Sequence, residues 1–200
     1  QLKQKELFNL QFLGSGYQLV GAKELLNIVQ TWEKQVQDLG IGELWGDRVN
    51  ETTEGRKIRV GYLSADFCRH PVGRFILPLF QNHDKERFEI IAFNCSSISD
   101  EVQAQLKEEC KHWIDLRHKS SLEGARIISD MQIDVLIELG GFTAESRLDF
   151  LCHKPCKHQL SYLGYFAPTY LKSINGWIGD KVLFGDLQLF CQKDNTAGPP

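Results

Sequence analysis

Residues 56–75 read RKIRVGYLSADFCRHPVGRF. The run IRVGYL alternates and clusters β-branched and aromatic residues as a buried strand does, and it ends in the short polar residues Ser64 and Asp66. Pro71 falls where this strand hands over to a helix starting near Gly73, in which Phe75, Ile76, Leu79 and Phe80 follow at helical spacing. The stretch therefore reads as strand, loop, helix, with His70 in the loop.

The same unit recurs downstream. Short apolar runs FEIIAFN (88–94), HWIDL (112–116), DVLIEL (134–139), HQLSYL (158–163) and NGWIGD (175–180) predict five more strands. Between them GRFILPLFQN, DEVQAQLKEEC, SSLEGARIISDM and AESRLDFLC predict helices. Strands alternating with helices require right-handed crossovers, hence an α/β fold: a Rossmann-like parallel sheet with helices on both faces. Upstream, YQLVGAKELLNIVQTWEKQVQDL (17–39) spaces Leu25, Leu26, Val29, Trp32 and Val36 as one face of an amphipathic helix. Gly40 and Gly42 act as stop signals and GDRVNETTEGRK (46–57) as a surface linker. The expected organisation is a helical lead-in over 1–54, a Rossmann-like lobe over 55–185 and a truncated or disordered tail over 186–200.

Composition narrows the function. With 42% hydrophobic and 24% charged residues and a net charge of −3, the chain is an ordinary globular one with no general pull toward nucleic acid or an anionic membrane. Its apolar runs are far shorter than the roughly 20 residues that span a bilayer, and QLKQKELFNL lacks a signal-peptide core. Six scattered cysteines match reduced thiols and a cytoplasmic setting. The only methionine is Met131, so an excerpt of a longer chain is expected.

Ligands of an open parallel sheet bind beyond the carboxyl ends of its strands. Three loops fall there: 64–73, 140–143 and 164–169. His70 offers a ring that exchanges a proton near neutral pH, or simply a helix cap. In GGFTAESR (140–147), Thr143 is expected to cap a helix with Ser146 at the capping-box position. No GxGxxG follows the first strand, which disfavours a dinucleotide dehydrogenase. CHKPCKH (152–158) crowds Cys152, His153, Cys156 and His158 together, but the spacing matches no zinc motif, and no metal is expected. Asp66, Glu138 and Asp180 close strands, where a carboxylate more often satisfies loop donors than acts as a base.

Taken in order, RKIRVGYLSADFCRHPVGRF, DVLIELGGFTAESRLDFL, KPCKHQLSYLGYFAPTYL and GWIGD resemble the amino-terminal half of the catalytic region of SPINDLY-like protein O-linked N-acetylglucosamine transferases, over about residues 56–180. The resemblance implies the first lobe of a GT-B glycosyltransferase that moves a sugar from a UDP-sugar to Ser or Thr hydroxyls of a protein acceptor. It implies inversion, no cofactor beyond the donor UDP-N-acetylglucosamine or another UDP-sugar, tetratricopeptide repeats upstream, and a second catalytic lobe that these 200 residues lack; the fragment alone should be inactive. The family's Asp-Phe-x-x-His-Pro histidine corresponds to His70, in the active site. Gly141, Phe142 and Thr143 match its Gly-(Phe/Tyr/His)-Thr motif, and Leu163, Gly164 and Tyr165 its Leu-Gly-Tyr motif; with Phe166 and Pro168 these form the substrate-binding set. Many members have Pro-Gly-Thr where this chain has Phe166, Ala167 and Pro168, and some have a second histidine where it has Arg74. Glucose as the sugar, N-linked transfer to asparagine, and a non-catalytic scaffold are the alternatives.

Overall fold

The computed structural model describes residues 6–10, 21–39, 43–45, 53–180 and 182. The expected helix start at Tyr17, the stops Gly40 and Gly42, most of the linker, Cys191 and the tail lie outside the described residues.

Six strands form one sheet: β1 (Ile58–Ser64), β2 (Phe88–Asn94), β3 (His112–Asp115), β4 (Val135–Glu138), β5 (His158–Tyr162) and β6 (Gly176–Ile178). Their order is β3-β2-β1-β4-β5-β6, and every neighbouring pair is parallel. All six sit where the apolar runs predict them, within a residue or two at their ends. Helices α2 (Pro71–Asn82), α3 (Glu101–Glu109), α4 (Ser121–Asp130) and α5 (Leu148–Cys152) cross over between successive strands, and α1 (Ala22–Asp38) precedes them.

Alternation along the strands divides the core in two. Val60, Tyr62, Ile90, Ala92, Val135 and Ile137 face one side, where they meet Val72, Ile76 and Phe80 of α2 and Val102 and Leu106 of α3. Leu63, Ile91, Phe93 and Leu136 face the other, against Ile128 of α4, Leu148, Phe150 and Leu151 of α5, and Val29, Trp32 and Val36 of α1. Both faces are therefore covered, as a parallel sheet requires.

The lead-in helix is bound to the lobe by more than apolar contact. Glu33 of α1 is buried, and its carboxylate accepts the backbone N–H groups of Lys172 (2.9 Å) and Ser173 (2.8 Å). Gln37 donates from Nε2 to the Cys152 carbonyl, and the N–H groups of Leu44 and Trp45 donate to the carbonyls of His153 and Lys154. These bonds consume carbonyls that the short α5 leaves at its end.

One expected helix entry is different. Thr143 is not the cap of α5: its Oγ1 donates back to the Gly140 carbonyl at 2.7 Å, and Ser146 Oγ donates to the Gly141 carbonyl. Residues 141–145 form turns, with Glu145 at φ +63°, and α5 begins only at Leu148, without a side-chain cap. The hydroxyls of Thr143 and Ser146 fold onto their own turn instead of onto helix N–H groups.

Candidate active site

The sheet order reverses between β1 and β4, and at such a switch point the loops leaving the two strands diverge and open a crevice. The loop after β1 is held firmly. Ser64 Oγ accepts the Asp66 N–H (2.9 Å), and Phe67 is fully buried against Phe80 and Trp113. His70 is the N-cap of α2, its Nδ1 accepting the Val72 N–H at 3.3 Å, with Pro71 as the first helical residue. The imidazole is half exposed.

Asp66 Oδ2 lies 3.8 Å from the same Nδ1. Burial raises the Asp66 carboxyl above its ordinary value; His70 counters that and Glu145, from the β4 loop, adds to it. The sequence signal for this pair is a carboxylate four residues ahead of the histidine, which by itself does not separate a partner from a loop residue.

The three suspect loops meet at one rim. Leu139 donates its N–H to the Leu63 carbonyl (3.0 Å), which joins the β4 exit to the β1 exit. Gly164 passes so close that a Cβ there would lie 2.0 Å from the Leu139 carbonyl oxygen and 2.8 Å from Val72 Cγ2 of α2. Gly141, at φ +54°, faces the Tyr165 ring, where a Cβ would come within 2.2 Å. Leu163 takes φ +71° to turn the chain there.

The residues expected to bind substrate divide into buried and exposed members. Phe142 and Tyr165 are buried, with ring centres 6.1 Å apart, and Trp32 of α1 stacks edge-on behind Phe142, also at 6.1 Å. Phe166 is 51% exposed, 4.9 Å from the Tyr165 ring and 6.5 Å from Phe8. The lead-in thus forms the back of the site, which its amphipathic pattern alone does not reveal. Pro168 is half-buried beside them and Thr169 is buried.

The expectation that backbone donors of 141–143 reach a ligand is narrowed by their partners. The Gly141 N–H goes to Glu138 (2.7 Å) and that of Thr143 to the Gly140 carbonyl (3.1 Å). Of the three, only the Phe142 N–H has no acceptor among the described residues. Gly164 likewise gives its N–H to the Tyr162 carbonyl.

The other candidates have structural partners. Asp180 Oδ1 accepts the Val182 N–H. Cys156 Sγ donates to the Ile133 carbonyl, and His153 is buried with Nε2 2.9 Å from Ser121 Oγ. Among the described residues no three His, Cys, Asp or Glu side chains gather as a metal site.

A parallel sheet in this order, with helices on both faces, is a doubly wound Rossmann-like layer, and it matches the amino-terminal lobe of the GT-B glycosyltransferase fold. It superposes on a K341M mutant of the O-GlcNAc transferase of Thermobaculum terrenum with a TM-score of 0.77 at 21% identity, over 88% of this chain and 34% of that one. The sequence profile of glycosyl transferase family 41 matches residues 45–184, and the chain belongs to that family. It is 30% identical, over 57% of its length, to an Arabidopsis thaliana protein named "Probable UDP-N-acetylglucosamine--peptide N-acetylglucosaminyltransferase SEC". It is 29% identical, over 56% of its length, to a UDP-N-acetylglucosamine–peptide N-acetylglucosaminyltransferase of Caenorhabditis elegans. The chain spans 12% of the first of these relatives and 10% of the second.

Proposed function

We propose that this lobe carries the acceptor-side half of a UDP-sugar-dependent protein glycosyltransferase, one that moves N-acetylglucosamine onto Ser or Thr hydroxyls. The observation that carries the reading is the gathering of His70, the 140–143 turn and the 163–168 loop along one rim at the switch point of the sheet. The relatives' names supply the donor and the acceptor class. The rest of the working protein, a second lobe for the nucleotide and helical repeats continuing α1, belongs to the same reading. So does a cytoplasmic setting, supported by the free thiols of Cys68, Cys95, Cys110, Cys152 and Cys156.

In the reaction the hydroxyl oxygen attacks the anomeric carbon on the side away from the diphosphate. The bond from that carbon to the phosphate oxygen breaks, its electron pair leaves with UDP, the configuration inverts, and the hydroxyl proton passes to a base. His70 has two ways to take part. A neutral imidazole carries one proton on two nitrogens. While Nδ1 accepts the Val72 N–H, that proton is on Nε2, and the ring donates to a ligand oxygen. With the proton on Nδ1 and directed at Asp66, Nε2 presents a lone pair and takes the proton of the acceptor. The 3.8 Å separation from Asp66 is long for a hydrogen bond, so the second state requires the ring to approach the carboxylate.

The test uses the full-length protein with labelled UDP-N-acetylglucosamine and a Ser/Thr peptide. His70→Ala should lower kcat/KM by about 10²-fold or more, the usual contribution of a positioned acid or base. Undiminished kcat/KM in that variant would remove His70 from the chemistry. Failure of the wild-type protein to transfer sugar from any UDP donor would leave the non-catalytic scaffold instead.

A further inference from the structure

Glu138 ends β4 beside the switch point and is 2% exposed. Its Oε2 accepts the N–H groups of Gly140 (3.0 Å) and Gly141 (2.7 Å), and its Oε1 accepts the hydroxyl of Ser161, its register partner on β5. Among the described residues no cationic side chain pairs with it.

As a device for stability alone this is a poor one. A buried carboxylate without a counter-ion pays heavily for lost hydration, and a well-packed apolar residue in its place generally costs a fold less. Its effect on geometry is specific, however. All three donors come from the two strand exits that carry the candidate sugar-side residues. The bond to Gly141 holds that residue at φ +54° against the Tyr165 ring, and the turn it closes seats Phe142 between Tyr165 and Trp32. The bond to Ser161 holds the strand that leads through Tyr162 into Leu163 and Gly164. The carboxylate also occupies the inner side of the diglycine turn, so the N–H groups of Gly140 and Gly141 are not an anion cradle.

We propose that Glu138 is a positioning residue for sugar transfer: one buried carboxylate ties the 140–143 turn to the β5 exit and so sets the placement of the two loops that border the donor sugar, over the buried Phe142–Tyr165 pair. This rests on the transferase reading above. Glu138 touches no reacting atom in this scheme; it acts through Gly141 and Ser161. Gln at this position keeps an oxygen for the two glycine N–H groups and presents an amide to Ser161, while Leu leaves two N–H groups and a hydroxyl without partners.

The experiment compares wild type, Glu138→Gln, Glu138→Leu and Ser161→Ala in the full-length protein, with rates expressed per folded molecule. Glu138→Leu should lower kcat/KM for UDP-N-acetylglucosamine by about 10²-fold, the usual consequence of a misplaced substrate, with the KM for the peptide unchanged. Glu138→Gln should recover most of that loss, and Ser161→Ala should show a smaller loss of the same kind. In parallel, deuterium exchange of peptides spanning 139–147 and 163–168 should quicken in Glu138→Leu, with β1 and β2 unaltered. Should that variant not fold, Ser161→Ala and Glu138→Gln carry the same readouts. Rates per folded molecule equal to wild type, with only a lowered Tm, would make Glu138 structural and overturn the proposal. A wild-type protein that transfers no sugar would overturn the transferase reading, and exchange then decides on the turn: faster exchange confined to the two loops supports the positioning role, and unchanged exchange overturns it.

Discussion

Asp134 and Glu138 stand at opposite ends of one short strand and have opposite environments. At the amino rim, Asp134 takes a bidentate pair from Arg56 (2.7 and 2.8 Å) and the Arg59 N–H (2.8 Å). Burial pushes its carboxyl up, but these donors more than reverse that and leave it below the ordinary range. At the carboxyl rim, burial pushes Glu138 up, and Ser161, Gly141 and Gly140 offset only part of it. The contrast separates two uses of a carboxylate. One staples β1 to β4 at their start; the other, with no cation paired to it among the described residues, shapes the turns of the proposed sugar site.

The two also respond to pH in opposite senses. Asp134 has a lowered folded pKa, so its contribution is present above the ordinary carboxylate value and is lost as pH falls through the folded one. Glu138 has a raised one, so between its ordinary and folded values the fold holds a proton that the unfolded chain has released, and stability falls as pH rises.

The largest effect that tests this division is at the carboxyl rim. Gly164→Ala drives a methyl into the Leu139 carbonyl and should cost about 3 kcal/mol, read by urea unfolding, with loss of transfer. Wild-type stability and activity in that variant would mean that the β4 and β5 exits are not packed as described.

A second test concerns another buried titratable group, His153, which follows α5 and lies beside Ser121 at the start of α4. Ser121 Oγ donates to the Asp149 carbonyl (3.0 Å), so its hydroxyl can only accept from His153 Nε2; Nδ1 has no hydrogen-bond partner among the described residues. Burial lowers the pKa of this ring, with Asp149 as a smaller opposing influence. The unfolded chain then binds the proton first, and stability should fall by up to about 1.4 kcal/mol per pH unit as pH drops from about 6.5 toward the folded value. His153→Gln should flatten that slope in a series of unfolding curves; an unchanged slope would assign it to other groups.

The smallest effect sharpens the contrast most directly. Arg56→Ala should cost about 1 kcal/mol, since the pair is partly exposed, and should leave sugar transfer per folded molecule unchanged. A loss of kcat in that variant would erase the distinction between the two rims.

Much of this was legible beforehand. The strands carry their own signal: FEIIAFN and DVLIEL are apolar on both faces because both faces are covered, and β2 ends just past its last apolar residue while β4 ends one residue short of Leu139. His70 was legible as cap and candidate from its place between β1 and the next helix, although that helix begins at Pro71, two residues ahead of the expected Gly73. The 140–147 turn was not, since its outcome depends on Glu138 taking two N–H groups from the other end of the motif. Nor were the left-handed backbones of Glu145, Leu163 and Tyr170, which non-glycine residues adopt only when neighbouring elements compel them. The wall behind Phe142 was equally hidden, because a helical stripe says that Trp32 is buried and not against what.

The Glu33 clamp has a consequence for assembly. Its partner N–H groups come 139 and 140 residues later in the chain. During synthesis α1 emerges long before its landing place exists, with Val29, Trp32 and Val36 uncovered at least until Phe142 and α5 have been made, and Glu33 unpaired with Lys172 and Ser173 until later still. The lead-in is thus made first and docked last, and chaperone occupancy on nascent chains should concentrate on that stripe.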